Sequence, residues 1–403
     1  MPAPSRYARS TTKISWTEGG EAREFQAQRD QRQALHRWNR YVLGEEYIKE
    51  ASKKYPRTKE SVSSSITISR RRLTSYREKK RQNNNFDLLT TLHEAEQPNL
   101  KPDIKPAHTF TVTLEPDTYT EEKFTLFSNY QSHVHKEQPH EISRTGFRRF
   151  LCSTPLHNHP DPAALDKKTG SFHQLYRLDG RLIALSVLDL LPGAVSGVYF
   201  IYHSDFEAWS FGKLSALRET ALALEGGYEM YYMGYFIHSC KKMAYKGDYR
   251  PQNVLDYDTG EWDVMDSSMR DLMGKRKWVS MSRERRIAAL LDAAPGSEDT
   301  ERELVDHEYR VAHPTPTEAM NSGKSLLELH VPGALAAEEV EEQVDLDDMK
   351  VTLGGGTVHR MRDIVSWAEG RVTDSGSIMG IMAELAACVG PKVAGEAVVD
   401  LGR

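Results

Sequence analysis

Apolar positions recur along this chain in two periods, and the switch between them marks its elements. From Gln31 to Glu50, Leu35, Trp38, Tyr41 and Val42 form a rough stripe at helical spacing, which predicts a helix. Between Lys53 and Asn85 the pattern dissolves into Ser, Lys, Arg and Asn. It includes Arg70-Arg71-Arg72 and Lys79-Lys80-Arg81, the composition of a mobile basic linker. Order returns near His108. Phe110 to Leu114 alternates as a strand does, Thr120 to His135 reads as a helix, and Gly146 to Cys152 is a short amphipathic piece. The clearest stretch runs from Ser171 to Glu225. Strands over Phe172–Leu178 and Arg181–Leu190 flank a tight Asp179-Gly180 turn, and a third strand, Ser196 to His203, follows the break at Pro192-Gly193. A helix opening at Gly212 places Leu214, Leu217, Ala221 and Leu224 on one face, and Tyr231 to Ile237 is a further strand. Three antiparallel strands, a helix and another strand predict an α+β fold with a mixed or antiparallel sheet. Farther on, Glu338 to Asp348 reads as an acidic helix and Met379 to Val398 as an Ala-rich one.

Size and charge refine this picture. With 403 residues the chain is long enough for two or three structural units. No apolar run reaches the roughly 18 residues of a membrane span, and the first residues lack the apolar core of a secretory signal. The three cysteines, Cys152, Cys240 and Cys388, are too few and too widely spaced for a disulfide framework or a Cys-x-x-Cys site, which points to the cytosol or nucleus. The net charge of −5 hides an asymmetry: residues 1–100 carry 20 Lys and Arg against 12 Asp and Glu, and residues 301–403 carry 9 against 19. A basic front favours a polyanionic partner, while an acidic tail is commonly solubilising.

The densest chemistry lies at 231–251. An aromatic strand empties there into a loop holding His238, Cys240, Lys241, Lys242, Tyr245, Lys246, Tyr249 and Arg250. Such a strand presents cationic and hydrogen-bonding groups to an anionic ligand, and a core strand followed by a solvated turn has the same pattern. His133-x-His135 and His157-x-His159 have ligand-like spacing but sit in polar sequence without a paired Cys motif, so no metal site is expected.

Four segments together resemble the arginyl-tRNA–protein transferase family. They are Ser171-Phe-His-Gln-Leu-Tyr-Arg-Leu-Asp-Gly-Arg-Leu-Ile-Ala184, Val187-Leu-Asp-Leu-Leu-Pro192, Ser215-Ala-Leu-Arg-Glu219 and the run Tyr232 to Pro251, with Phe147-Arg-Arg-Phe-Leu-Cys152 fitting the same family. The resemblance spans roughly 107–265 and implies a GNAT-like N-acyltransferase core. It divides the chain into an N-terminal region with a helix and basic linker (1–106), the catalytic domain (107–265) and an acidic C-terminal extension (266–403). It also implies transfer of arginine from arginyl-tRNA to the α-amine of proteins starting with Asp, Glu or oxidised Cys, feeding ubiquitin-dependent degradation. Arginyl-tRNA and acceptor proteins with acidic N-termini are then the partners, with neither a membrane nor DNA. The Gln/Arg-x-x-Gly-x-Gly/Ala loop with which acetyltransferases hold CoA does not precede Gly212, which suits a tRNA-borne donor.

Under that reading the site needs a carboxylate for the guanidinium, a mild base and a polarised ester carbonyl. Asp189 is the candidate for the guanidinium: it ends a strand face otherwise carrying Ile183, Leu185 and Val187, and the related leucyl/phenylalanyl transferases use an acid in a similar region. An Asp turning away before Pro192 is the competing reading. His238 is the candidate base or donor to the ester. Lys241, Lys242, Lys246 and Arg250 are candidates for tRNA phosphates or the acidic first residue of the acceptor. Tyr232, Tyr235, Tyr245 and Tyr249 are candidate stacking surfaces for the terminal adenosine, and Tyr176 joins the substrate-binding set. Gly212 and Lys213, at a helix start, would suit a phosphate or simply begin the helix. Family members usually open with a cysteine-rich module that binds metal or an iron–sulfur cluster, and residues 1–106 contain no cysteine. The expectation is therefore a fungal-type member without that module or its cofactor, either active or a regulatory, tRNA-binding form.

Overall fold

The structure, a computed structural model, describes residues 10–15, 25, 27–55, 86–154, 156, 167–240, 243–276, 279–293, 302–305, 323–329, 334–353, 357–367 and 370–401. Most of the basic stretch at 53–85 lies outside them. The chain forms two compact units, residues 1–254 with 264–278, and residues 255–263 with 279–403.

The first unit is built on a mixed sheet. Its strands are β1 (Ser10–Ser15), β2 (Phe110–Pro116), β3 (Gly170–Leu178), β4 (Arg181–Leu191), β5 (Ala194–Tyr202), β6 (Met230–Phe236) and β7 (Asn253–Leu255), in the order β2-β3-β4-β5-β6-β1-β7, while β8 (Trp262–Val264) belongs mostly to the second unit. The β2–β5 run is antiparallel, and β5 to β6 is a parallel pair. A parallel neighbour requires a crossover, here the helix α5 (Phe211–Glu225). The other helices of this unit are α1 (Arg29–Lys54), α2 (Leu88–His93), α3 (Glu121–Tyr130), α4 (Arg144–Leu151) and α6 (Ser267–Lys275). Side-chain oxygens start four of them: Asp87, Thr120, Ser143 and Asp266 accept from the amides of Thr90, Lys123, Gly146 and Met269 at 2.7, 3.2, 3.0 and 2.8 Å.

Helices cover both faces of the sheet. On one, Leu35, Trp38 and Val42 of α1 and Phe211, Leu214 and Leu217 of α5 pack on Tyr176, Ala184 and Leu188. On the other, Leu126 and Phe127 of α3 and Phe147 and Leu151 of α4 pack on Leu175, Leu185, Val187 and Ile201. This double cover explains why β4 is buried without interruption from Leu182 to Leu188. Ile183 does not share a face with Leu185 and Val187, as strict alternation would have it. A register shift opposite Tyr176 and Arg177 moves it to the α1/α5 side.

The parallel pair lasts only three residues, Ala194, Val195 and Ser196 against Met230, Tyr231 and Tyr232. Beyond Tyr232 the β1–β6 register slips, leaving Met233 unmatched, and Gly234 takes φ +72°. A bulge of this kind re-aims its strand, and here the β5–β6 pairing ends at the bulge. Strand β1 itself, Ser-Thr-Thr-Lys-Ile-Ser, has no apolar alternation and is invisible to periodicity.

The second unit holds α7 (Met281–Ala293), α8 (Ala337–Gln343), α9 (Ile378–Glu396) and a small sheet in which β9 (Lys350–Thr352) lies between β10 (Val358–Arg360) and β11 (Val398–Asp400). Met349, Val351, Met361, Trp367, Met382 and Ala386 form its core. Helix α9 has the length and apolarity of a membrane span. It also carries Glu384, Lys392 and Pro391 and buries Met382, Ala383 and Ala386 in its own unit. Near the start of α7, Arg283 pairs with Asp258, and Ser280 Oγ lies 3.0 Å from Asp256.

Candidate active site

Helix α5 is buried on nearly every side, so its polar residues Arg218, Glu219 and Thr220 lie inside the protein with the apolar ones. A buried carboxyl requires partners, and Glu219, 4% exposed, has them. Ser186 Oγ of β4 donates to it at 2.8 Å, and the Tyr231 hydroxyl of β6 donates to its other oxygen. The network extends to Tyr176, whose hydroxyl lies 3.5 Å from Ser186 Oγ and donates to Gln174 at 3.0 Å. Burial raises the Glu219 carboxyl to about 6 against the pull of its bonds from Tyr231 and Ser186. Gly197 makes room for it: a Cβ there would lie 2.9 Å from Glu219 Oε2 and 3.4 Å from the Tyr231 hydroxyl. The carboxyl therefore sits at the parting of β5 and β6, against bare β5 backbone.

A second polar group occupies the opposite sheet face. Ser171, Asp189, Ser196 and Tyr232 are lateral neighbours on β3, β4, β5 and β6, so their side chains share a side. Ser171 Oγ donates to Asp189 at 2.5 Å and lies 2.9 Å from Thr154 Oγ1. Asp117, just past β2, has its carboxyl raised by burial, and the Asp189 charge adds to the rise. Lys123, 1% exposed, donates to the Thr118 carbonyl at 2.9 Å. Burial lowers its ammonium, with Glu115, Cys152 and Asp117 opposing. Burial also raises the Cys152 thiol to about 11 and lowers His173 to about 4. Two half-buried carboxylates in electrostatic contact suit a cationic ligand.

Of the residues singled out in the sequence, the structure brings Tyr176 into the Glu219 network and Tyr232 into the Asp189 row. Asp189 and Glu219 are on opposite faces. Lys246, lowered by burial with Glu219 opposing, donates to the β6 carbonyls of Met233 and Tyr235 at 2.7 and 3.1 Å. Its ammonium thus ties the following turn to the strand. Tyr249 is fully buried and donates to the Lys213 carbonyl at 3.2 Å. The Tyr245 ring lies against Gly212, where a Cβ would approach it to 3.1 Å, and Lys213 pairs with Asp30. Both features of the α5 start that suited a phosphate are therefore occupied. Tyr235 is 50% exposed. Arg250 stands on the rim of a concavity of about 510 Å³ with Arg29, Asp30 and Asp248. His238 is exposed beside Gly274, and among the described residues no hydrogen bond joins it to Asp189 or Glu219. Lys241, Lys242, His157 and His159 lie outside the described residues. His133 binds Glu207 at 2.9 Å and His135 binds Tyr199 at 3.1 Å, so the two face different partners.

Glu219 belongs to the Ser215–Glu219 segment of the resemblance, but residue type alone assigns it no role. Its signal was present: an acid flanked by Leu217 and Ala221, in a helix whose apolar residues extend beyond one stripe, must be buried once both helix sides are covered.

Residues 122–256 match the family model described as "Arginine-tRNA-protein transferase, C terminus". Arginyl-tRNA–protein transferase 2 of Arabidopsis thaliana is 34% identical over 206 residues, covering 48% of this chain and 34% of that protein. Arginyl-tRNA–protein transferase 1 of Saccharomyces cerevisiae is 41% identical over 165 residues, 37% of this chain and 32% of that protein. The chain thus spans about a third of the length of these relatives. An aspartate/glutamate leucyltransferase of Pseudomonas fluorescens is 35% identical over 153 residues, 38% of this chain and 60% of that protein. Among solved structures, a GCN5-related N-acetyltransferase from Kribbella flavida aligns at TM-score 0.22 and 16% identity, over 37% of this chain and 49% of that chain. The Phe147 to Cys152, Ser171 to Ala184, Val187 to Pro192 and Ser215 to Glu219 segments and the run at 232–251 all lie inside the matched region, and residues 122–256 are a domain of the arginine-tRNA–protein transferase family.

Proposed function

We propose that this chain transfers arginine from arginyl-tRNA to the N-terminal α-amine of proteins beginning with Asp, Glu or oxidised Cys, marking them for ubiquitin-dependent degradation. The observation that carries the reading is the Glu219 carboxyl, raised to about 6 and held between Ser186 and Tyr231 where β5 and β6 part. An α-ammonium titrates near 8, so a carboxylate of this strength takes up its proton without being fully protonated at neutral pH. The freed amine attacks the ester carbonyl joining arginine to the tRNA ribose. An amide C–N bond forms, the C–O bond breaks, and the departing ribose oxygen takes a proton. The Tyr231 and Ser186 hydroxyls, both bonded to Glu219, are the path by which that proton moves.

Asp189, with Asp117 beside it, takes the guanidinium. The leucyltransferase relative is named for aspartate and glutamate, which supports acidic acceptors here. The test uses the purified chain, tRNA charged with labelled arginine, and peptides starting with Asp, Glu or Ala. Label should move to the Asp and Glu peptides only, and Glu219→Gln should lower the rate by roughly 10²- to 10⁴-fold. Tight tRNA binding with no transfer by the unaltered chain would sink the catalytic reading in favour of a regulatory one.

A further inference from the structure

Phe150 is one of the exposed large apolar side chains of the first unit. It lies in the last turn of α4, the other side of which buries Phe147 and Leu151, yet its own ring is 55% exposed beside the cations Arg148 and Arg149. The ring is not isolated. It meets Tyr199 of β5 edge-on at 5.2 Å, and Tyr199 meets Tyr130 of α3 at 6.2 Å. His135 bonds the Tyr199 hydroxyl at 3.1 Å.

The local charge leans positive, although the Glu137 carboxylate also faces Tyr199. Two acids of neighbouring α3 are engaged, Glu121 with Arg144 at 2.9 Å and Glu122 with Arg177 at 2.6 Å. Arg148 lies over the Tyr119 ring at 4.0 Å, and Arg149 is exposed. One exposed ring, Phe150, backed by the half-buried Tyr199 and flanked by Arg and His, suits unpaired nucleotides, whose bases stack on aromatic faces while the cations meet phosphates. A purely apolar partner would leave those cations unmatched.

The strip is also placed to matter. Tyr199 pairs with Val187 on β4, two residues from Asp189 and on the same sheet face. Resting on the transfer reading above, we propose that Phe150 and Tyr199, with Arg148, Arg149 and His135, form the docking surface for the unpaired 3′ nucleotides of the donor tRNA. The aminoacyl group would then continue along this face toward the Asp189 row.

The experiment measures binding of the full chain to an arginine tRNA and to the same tRNA trimmed of its unpaired 3′ nucleotides, over a range of salt. Phe150→Ala should weaken the intact tRNA roughly 5- to 100-fold and leave the trimmed one unchanged. Phe150→Tyr, which keeps a stacking face, should restore wild-type affinity. Arg149→Gln should lower the salt slope by about one ion. Equal weakening of both tRNAs by Phe150→Ala, or none, overturns the assignment, as does a raised KM for the acceptor peptide with tRNA binding intact. If the unaltered chain transfers arginine while Phe150→Ala binds normally, only this surface fails. If the unaltered chain binds neither tRNA, the transfer reading fails with it.

Discussion

At the scale of single residues, one carboxyl and one missing side chain define the site. Glu219 is an acid whose folded value, about 6, stands above its ordinary 4.5. A group raised in this way contributes stability that is full below 4.5 and is lost as pH rises through about 6, because the folded protein must then hold a buried charge. The shift corresponds to roughly 2 kcal/mol. Glu219→Gln should therefore lose less stability than the parent between pH 4.5 and 7 by about that amount, as denaturant unfolding at the two pH values would register. A transfer rate that depends on the Glu219 carboxylate should in turn rise through pH 6 and then level. Gly197 is the complementary case. A methyl group placed there meets Glu219 Oε2 at 2.9 Å, and that oxygen is pinned by Tyr231 rather than free to swing. Gly197→Ala is expected to cost about 1–3 kcal/mol of stability and to lower the transfer rate beyond what that loss explains. A thermal melt paired with the charged-tRNA assay checks both.

At the scale of elements, the site depends on where α5 is held and where β6 turns away. Arg218, the neighbour of Glu219, pairs with Glu96, and His93 at the end of α2 bonds both Glu96 at 2.7 Å and Glu225 of α5 at 2.6 Å. Glu225 first, then Glu96, raises His93 to about 9. This raised base contributes stability that is full below 6.5 and lost as pH rises through about 9. In a ring-proton NMR titration, Glu225→Gln should move the His93 midpoint down toward its ordinary value. A midpoint unchanged near 9 would mean that Glu225 does not clasp the helices. Gly234 sets the other boundary: at φ +72° a side chain costs about 1–2 kcal/mol, so Gly234→Ala should lower stability by that much in denaturant melts. Much of this scale was legible beforehand. Strands β3 to β6 and helix α5 have unambiguous periods and turn chemistry, and they appear where expected. What escaped were features that only pairing creates: β1, with its polar sequence, and the register shift that turns Ile183 to the other face.

At the scale of the molecule, the sheet acts as a partition with chemistry on each side, and the β5–β6 ladder ends between the two groups. The sequence placed Asp189, Tyr176 and Tyr232 correctly on their strands, yet a list of residues carries no information about faces. Face depends on bulges at Tyr176/Arg177 and Val187/Leu188, which periodicity does not register. Assigning the loop after β6 was harder still, because a Lys or Tyr in a charged turn reads as surface whether it points out, as Tyr235 does, or in, as Lys246 and Tyr249 do. The partition makes a prediction that no single residue makes. If the Asp189 face holds the arginine side chain and the Glu219 face moves the proton, their losses must differ in kind. Asp189→Ala should raise KM for arginyl-tRNA and reduce the preference for arginyl- over leucyl-tRNA by roughly two orders of magnitude. Glu219→Gln should lower kcat for both donors alike and leave that preference unchanged. Steady-state kinetics with the two charged tRNAs separates these outcomes. Equal loss of preference in both variants would mean that the faces form one undivided site, and that the parting of β5 and β6 has no part in dividing recognition from proton transfer.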